Sequence, residues 1–262
     1  MHAYTRNKIR TVWEIVQRLE NWPSALALRI HKNRPYREVL RFRNGIHVSC
    51  RGGSRDWDVV HELFFMDSYG KALDVLRKAT CSQPVVVDLG GNIGTFSLIA
   101  AATHPGAQIH AFEPGPPNLR MFEINRLLNP GLGERIRLVP EAVGGQTGKA
   151  VWFFDEKNPG ASSLYASGDG GCEVQLRSLE EVVRGIGSRI TLLKMDIEGA
   201  EYSVLEQTPE ETWAQIDAIA LEVHDDPAGK SRPDEFLSKL SSFGFSIEKE
   251  SVVSFFLHRN GG

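Results

Sequence analysis

Hydrophobic positions along this chain change their period several times, and each change marks a predicted element. Near the start Ile9, Val12, Trp13, Val16 and Leu19 recur at helical spacing, and the stripe stops at Asn21-Trp22-Pro23. Glu14 and Glu20 on the polar face favour packing against the body over lying on a membrane. Glu38 to Phe42 and Ile46 to Cys50 flank Arg43-Asn44-Gly45, which predicts a β-hairpin because Asn-Gly supplies the positive φ angles of a tight turn. Ser54 or Asp56 can cap a helix carrying Trp57, Val60 and Phe64, and Gly70 to Ala79 reads as another helix.

From Pro84 strands and helices alternate. Val85 to Leu89 is a continuous apolar run, as a parallel strand buried on both faces requires, and Thr95 to Ala102 follows as a helix. Gln108 to Phe112, Ile136 to Val139, Ile190 to Met195 and Ile216 to Val223 read as further strands. Pro117 to Leu128, Leu179 to Val183, Ala200 to Glu206 and Pro233 to Phe243 read as helices. Val151 to Phe154 and Glu173 to Leu176 form a candidate antiparallel add-on. Phe245 to Glu250 and Val252 to His258 are joined too closely for a helical crossover, so they pair as a hairpin. The expected fold is α/β, an open, doubly wound, mostly parallel sheet over 81–262 with a terminal antiparallel hairpin. An N-terminal α+β appendage occupies 1–80.

Composition narrows the function. Of 262 residues, 41% are hydrophobic and 24% charged, which fits an ordinary globular chain. Lys+Arg 30 against Asp+Glu 33 leaves a formal charge of −3, which argues against a general nucleic-acid binder. The basic stretch Arg34 to Arg43 reads as a solvated face. Cys50, Cys81 and Cys172 are odd in number and lack a Cys-x-x-Cys spacing, so free thiols in a reducing compartment are expected rather than a disulfide frame or zinc site. The runs Pro84 to Leu89 and Ser97 to Ala102 are too short to span a bilayer, and Met1 to Arg10 lacks a signal-peptide core. A cytoplasmic protein without a membrane span is the expectation, with homo-oligomerisation left open.

The candidate chemistry begins at Asp88-Leu89-Gly90-Gly91-Asn92-Ile93-Gly94, between the first sheet strand and its helix. Glycines there allow a sharp turn and close backbone approach to a ligand. Glu113 closes the next strand, where a carboxylate can accept both hydroxyls of a ribose. The pair suggests an adenosine-containing ligand. An NAD-dependent oxidoreductase would prefer Gly-x-Gly-x-x-Gly, with pyrophosphate on the helix N-terminus. An acid aimed at the loop is better matched to the amino and sulfonium cations of S-adenosylmethionine.

The chain resembles the FkbM-type class I S-adenosylmethionine-dependent methyltransferases. The resemblance rests on Val87 to Ser97, Ala111-Phe112-Glu113-Pro114, Glu141-Ala142-Val143-Gly144, Ser162-Ser163-Leu164 and Leu193-Lys194-Met195-Asp196-Ile197-Glu198-Gly199-Ala200-Glu201. It implies a seven-stranded, Rossmann-like sheet and the cofactor S-adenosylmethionine, with S-adenosylhomocysteine as product. It also implies that Asp88, Gly90, Gly91, Asn92, Gly94 and Thr95 line the methionine end. Glu113 with Pro114 would then hold the ribose, and Glu141 with Ala142 would flank the adenine. Residues 1–80 match less clearly; a substrate cap is their expected role.

Methyl transfer to a hydroxyl needs a positioned nucleophile and a proton acceptor. The ends of the fourth and fifth strands offer Lys194, Asp196, Glu198, Glu222, His224, Asp225 and Asp226. Asp196, Glu198 and His224 are the candidate catalytic groups, and Asp196 also faces the cofactor. Ser163, Lys194 and Glu222 are candidate substrate contacts. Capping the helix entered at Gly199 is the alternative, less favoured role for Asp196, and Glu201 reads as a first-turn charge favouring the helix dipole. Asp196, Glu198, Glu222 and His224 could also gather around Mg²⁺, for which no dedicated spacing exists. Trp152, Phe153 and Phe154 read as packing residues. The resemblance, rather than these residues, implies O-methylation of a small molecule (natural product), sugar or glycan as the expected reaction. The alternatives are N-methylation, a catalytically silent S-adenosylmethionine-binding partner subunit, and the oxidoreductase.

Overall fold

A computed structural model of the chain describes residues 11–30, 37–153, 171–224 and 233–259. Ile9, Arg34, Phe154, the segment 158–160, Ser162, Ser163, Asp225 and Asp226 lie outside the described residues. Residues 11–18 are helical, but the stripe is rotated from the expected one: Ile15 and Leu19 are buried while Val12 and Trp13 are exposed. Pro23 does not end helical structure. It stands in the opening turn of α1 (Trp22–Ile30), where its missing N–H costs nothing.

β1 (Arg37–Arg41) and β2 (His47–Arg51) form the expected antiparallel pair. Their turn is longer than a two-residue one, because Phe42 N–H bonds Ile46 O and only Gly45, at φ +87°, is left-handed. Neither expected residue caps α2 (Asp56–Phe65), whose N-cap position is Arg55. Asp56 instead accepts from Arg51 N, Nε and Nη2 at 2.8, 2.9 and 2.7 Å, tying β2 to the helix. α3 (Gly70–Lys78) completes the N-terminal part.

The sheet begins with β3 (Val85–Leu89), α4 (Thr95–Thr103), β4 (Gln108–Phe112), α5 (Pro116–Leu128), the single turn α6 (Pro130–Gly133) and β5 (Ile136–Val139). An excursion follows. β6 (Glu141–Gly144), β7 (Gly148–Phe153) and β8 (Gly171–Ser178) form a separate sheet in the order β6-β8-β7. The β7–β8 pair is the expected add-on; β6, parallel to β8, was absent from the sequence reading. The chain returns through α7 (Leu179–Ile186), β9 (Ile190–Met195), α8 (Glu201–Gln207), α9 (Glu210–Trp213), β10 (Ile216–Glu222), α10 (Pro233–Ser242), β11 (Phe245–Lys249) and β12 (Ser254–Arg259).

The main sheet has seven strands in the order β11-β12-β10-β9-β3-β4-β5. β12 runs antiparallel between β11 and β10, and β10, β9, β3, β4 and β5 are mutually parallel. β3 has β4 on one side and β9 on the other, so connections leave it in opposite directions. The crevice outside the carboxyl ends of β3 and β9 is therefore where such a sheet binds its ligand.

Alternation along the strands feeds one hydrophobic cluster on each face. Val86, Leu192 and Ala218 point into the first, together with Ile93, Phe96 and Leu98. The same cluster contains Leu19, Leu40, Val48, Phe64 and Leu76, so the described residues ahead of the sheet share its core. Val87, Leu193 and Ile219 point into the second, with Val182, Val204 and Leu240 from α7, α8 and α10. Buried Asn125 clasps the two parts: it accepts from Ser49 N at 2.6 Å and donates to Ile93 O at 2.8 Å.

Candidate active site

The glycine loop starts where β3 ends, and its backbone is committed. Gly90 and Gly91 donate to Phe112 O at 3.0 and 2.9 Å, Asn92 to Glu113 Oε2 at 2.8 Å, and Gly94 to Gly91 O at 2.8 Å. These four amides are thus unavailable to a pyrophosphate, which removes the main reason for the dinucleotide reading. Asn92, at φ +49°, and the left-handed glycines 90 and 94 make the loop this tight. Gly90 must also lack a side chain, since a Cβ would stand 1.9 Å from Asp196 O.

Two cavities meet at this loop. The first, about 570 Å³, is lined by Gly90, Asn92, Phe112, Glu113, Pro114, Asn118, Glu141, Ala142, Val143, Trp152, Asp196, Ile197 and Glu198. The second, about 420 Å³, is lined among others by Glu62, Tyr69, Gly91, Thr95, Lys194 and Glu222. Gly90, Asn92 and Asp196 line both. Of the expected cofactor residues, Gly90, Asn92, Glu113, Pro114, Glu141, Ala142 and Asp196 thus surround one space, with Gly91 and Thr95 on the neighbouring one.

Asp88 and Gly94 line neither cavity, and both depart from the expected ligand contact. Asp88 is wholly buried, bonded by Ser97 Oγ at 2.6 Å and 3.7 Å from Lys194 Nζ. Burial pushes its carboxyl above the usual range, against the pull of Lys194. It lies beneath the loop, with Ser97 and Lys194 as its partners. Gly94 is a packing glycine, because a Cβ there would lie 2.4 Å from the Phe122 ring.

Glu113 is the built acid of the first cavity. One oxygen accepts from Asn92 N and the other from Gly115 N, both at 2.8 Å, leaving lone pairs on each for ribose hydroxyls. Burial raises its pKa to about 7 despite those bonds. Glu141 is tied through both oxygens to Arg177, at 2.5 and 2.9 Å, so it borders the cavity as a fixed ion pair. Trp152, read as packing, is buried and also forms part of this wall. An acidic lining of Glu113, Asp196 and Glu198 fits a cationic adenosyl ligand, and the committed loop amides do not oppose it.

Lys194 is likewise mostly structural. Its Nζ donates to Gly90 O at 2.9 Å and stands 3.1 Å from Asp196. Burial alone would lower its pKa, but Asp196 and Asp88 outweigh it and hold the amine above the ordinary lysine range. It still contributes to the second cavity, as does Glu222.

Asp196, Glu198 and His224 do converge, although β9 ends at Met195 and strand alternation does not carry them there. His224 Nε2 lies 3.7 Å from Asp196, 3.7 Å from Glu198 and 4.0 Å from Glu222. Asp196 does not cap α8, whose N-cap position is Ala200 without a side-chain bond. Burial opposes a charge on His224, but the Glu201 bond and the charges of Glu201, Asp196 and Glu198 raise its pKa to about 9. Burial raises Glu198 to about 7 and, with Asp196 nearby, also raises Glu222. One atom from each of Asp196, Glu198 and His224 falls within 4.8 Å of the others, so a divalent ion could fit there; it would have to displace the imidazolium proton.

Sequence reasoning missed Glu201. It is wholly buried, accepting from Ile197 N at 3.0 Å and Gly199 N at 2.9 Å, and it meets His224 Nδ1 at 2.9 Å. Its position five residues after Asp196, just past Gly199, is the available signal. Glu62 and Tyr69, beside the second cavity, could have been sought in the stretch leading to the sheet.

The strand order, with an antiparallel strand inserted beside β10, is that of the class I methyltransferases. The chain belongs to the FkbM methyltransferase family: the model described as Methyltransferase FkbM domain matches residues 88–247. It is an S-adenosylmethionine-dependent methyltransferase of that type. It is 29% identical over 217 residues to Methyltransferase 1 of Beauveria bassiana, covering 74% of this chain and 82% of that protein. Methyltransferase sdnD of Sordaria araneosa is 30% identical over 202 residues, 64% of this chain and 76% of the relative. The 31-O-demethyl-FK506 methyltransferase FkbM of Streptomyces tacrolimicus is 28% identical over 252 residues, covering 81% and 90%. No helix among the described residues is long and apolar enough to cross a membrane.

Proposed function

We propose that this enzyme transfers a methyl group to a hydroxyl of a small molecule, a natural product or a sugar-containing compound. The observation that carries this reading is the wall shared by the two cavities, where Asp196 stands beside His224, Glu198 and Glu222. A hydroxyl must lose its proton as the new bond forms, and this cluster offers acceptors beside the second cavity. A neutral amine acceptor would have less need of it. The name of the Streptomyces tacrolimicus relative, a 31-O-demethyl-FK506 methyltransferase, supports the same choice.

S-adenosylmethionine, when bound, supplies a methyl group activated on a sulfonium sulfur. In this reading Glu113 accepts from the ribose hydroxyls, while Glu141, Ala142 and Trp152 border the base. Asp196 and Glu198 present negative charge to the cationic end. His224 and its carboxylates receive the acceptor proton. A bound cation beside them lowers the His224 pKa, so once cofactor is present a larger share of the imidazole is neutral and able to accept a proton. Residues 1–80 serve as a cap on the acceptor side, where Glu62 borders both the second cavity and an open groove of about 1300 Å³.

The test is incubation with methyl-labelled S-adenosylmethionine and fractionated metabolite extract, followed by mass spectrometry of the labelled product. Label in a methyl ether is the expected result. Label on nitrogen, or no transfer to any fraction, would overturn the proposal.

A further inference from the structure

We infer that Glu201 is a positioning residue, one carboxylate fixing both the orientation of His224 and the loop that presents Asp196 and Glu198. A first-turn helix charge needs no burial, yet Glu201 is completely enclosed. A buried carboxylate is costly unless its lone pairs are used. Here Oε1 accepts from Ile197 N and Oε2 from Gly199 N, and Oε1 also faces His224 Nδ1.

The two amide bonds straddle Glu198, a residue at φ +53°, and Gly199 follows at φ +99°. A glutamate in the left-handed region is strained and persists only where its surroundings dictate the conformation. Glu201 supplies that constraint from inside, closing residues 197–199 into a turn whose outer side carries Glu198 toward His224.

The third contact sets the imidazole. With Nδ1–H donating to Glu201, Nε2 is the nitrogen left facing Asp196, Glu198 and Glu222, as a carboxylate commonly arranges for a working histidine. Among the described residues the charged groups around that ring are Glu201 on α8, Asp196 and Glu198 on the loop after β9, Glu222 at the end of β10, and Lys194 behind Asp196. Of these, Glu201 is the group that meets Nδ1. The catalytic meaning of this arrangement rests on the methyltransferase reading above, but the arrangement itself can be tested without an acceptor.

The experiment is nitrogen-15 NMR of the histidine-labelled full chain above the His224 pKa, with its signals identified by their loss in His224→Asn. Wild-type His224 is expected in the Nδ1–H form, the minor tautomer of a free imidazole, and Glu201→Gln is expected to lose that preference. S-adenosylhomocysteine should bind the Glu201→Gln protein more weakly than wild type, because the loop that Glu201 holds carries Asp196, Ile197 and Glu198 into the first cavity. An Nε2–H tautomer in the wild type overturns the proposal even if the variant fails to fold. An unchanged tautomer in a folded variant overturns it too. Failure of wild-type S-adenosylhomocysteine binding would instead strike the cofactor reading and leave the tautomer result standing.

Discussion

Gly90 and Asp196 meet backbone to backbone across β3 and β9: a β-carbon on Gly90 would stand 1.9 Å from the Asp196 carbonyl oxygen. The glycine loop and the candidate catalytic loop are therefore one packed unit. Gly90→Ala must push them apart at φ +77°, where any side chain is also strained. The expected outcome is at least a tenfold loss of S-adenosylhomocysteine affinity by calorimetry. Gly131→Ala, at a site with nothing within 4 Å, should bind normally. Equal affinities would refute the close coupling.

Lys194 is the buried cation between Asp88 and Asp196, at 3.7 and 3.1 Å. Lys194→Met keeps the length but strands two carboxylates, one of them wholly buried. Breaking such a pair from one side costs about 3–5 kcal/mol. Urea denaturation should show a loss at the lower end of that range, since Asp196 is partly solvated. A variant as stable as wild type would mean the amine has no such role.

Asn125 ties two otherwise separate backbone segments to its own helix through its side chain, with Ser49 N and O and Ile93 O as partners. Asn125→Ala leaves those groups buried and unpaired. The expected destabilisation is about 2–4 kcal/mol, measured from the urea midpoint at constant slope. A shift below about 1 kcal/mol would show that the clasp is dispensable.

Glu198 provides the pH test. Its folded pKa is raised to about 7 from 4.5, chiefly by burial, so the folded state favours its protonated form. The stability associated with that proton is present below pH 4.5 and lost as pH rises to about 7. Glu198→Gln removes the loss. The variant should match wild type near pH 4.5 and exceed it at pH 8 by about 1 kcal/mol, after discounting for partial exposure. A pH-independent difference between the two proteins would contradict the shift.

Much of the fold was legible because the buried strands speak plainly. Val85 to Leu89 and Ile190 to Met195 are apolar on both faces, and the short link before the last strand forces a hairpin. β6 was hidden because Glu141-Ala142-Val143-Gly144 is short and ends in glycine; its strand identity comes from a distant partner, Gln175 to Ser178. Asn44-Gly45 announced a turn but not its length, since Asn44 bonds through its side chain rather than adopting a positive φ.

The site was legible residue by residue but not in its division of labour. Spacing located Glu113 and Asp196, while it could not tell that Asp88 and Lys194 face inward to hold the floor. Glu201 was obscured for a physical reason: an acid in a first helical turn has an ordinary explanation, and only burial reveals the second one. The convergence of Glu198 and His224 depends on a left-handed residue beyond the strand, which periodicity does not describe.

The most direct test of the central claim is a thermal-shift comparison of the unmodified protein with S-adenosylhomocysteine and with NAD. A ligand that binds only the native state raises the melting temperature by mass action. S-adenosylhomocysteine should raise it in a saturable, concentration-dependent way, and NAD should leave it unchanged. Stabilisation by NAD alone would contradict the assignment of the cavity between Glu113 and Asp196 to an adenosyl methyl donor.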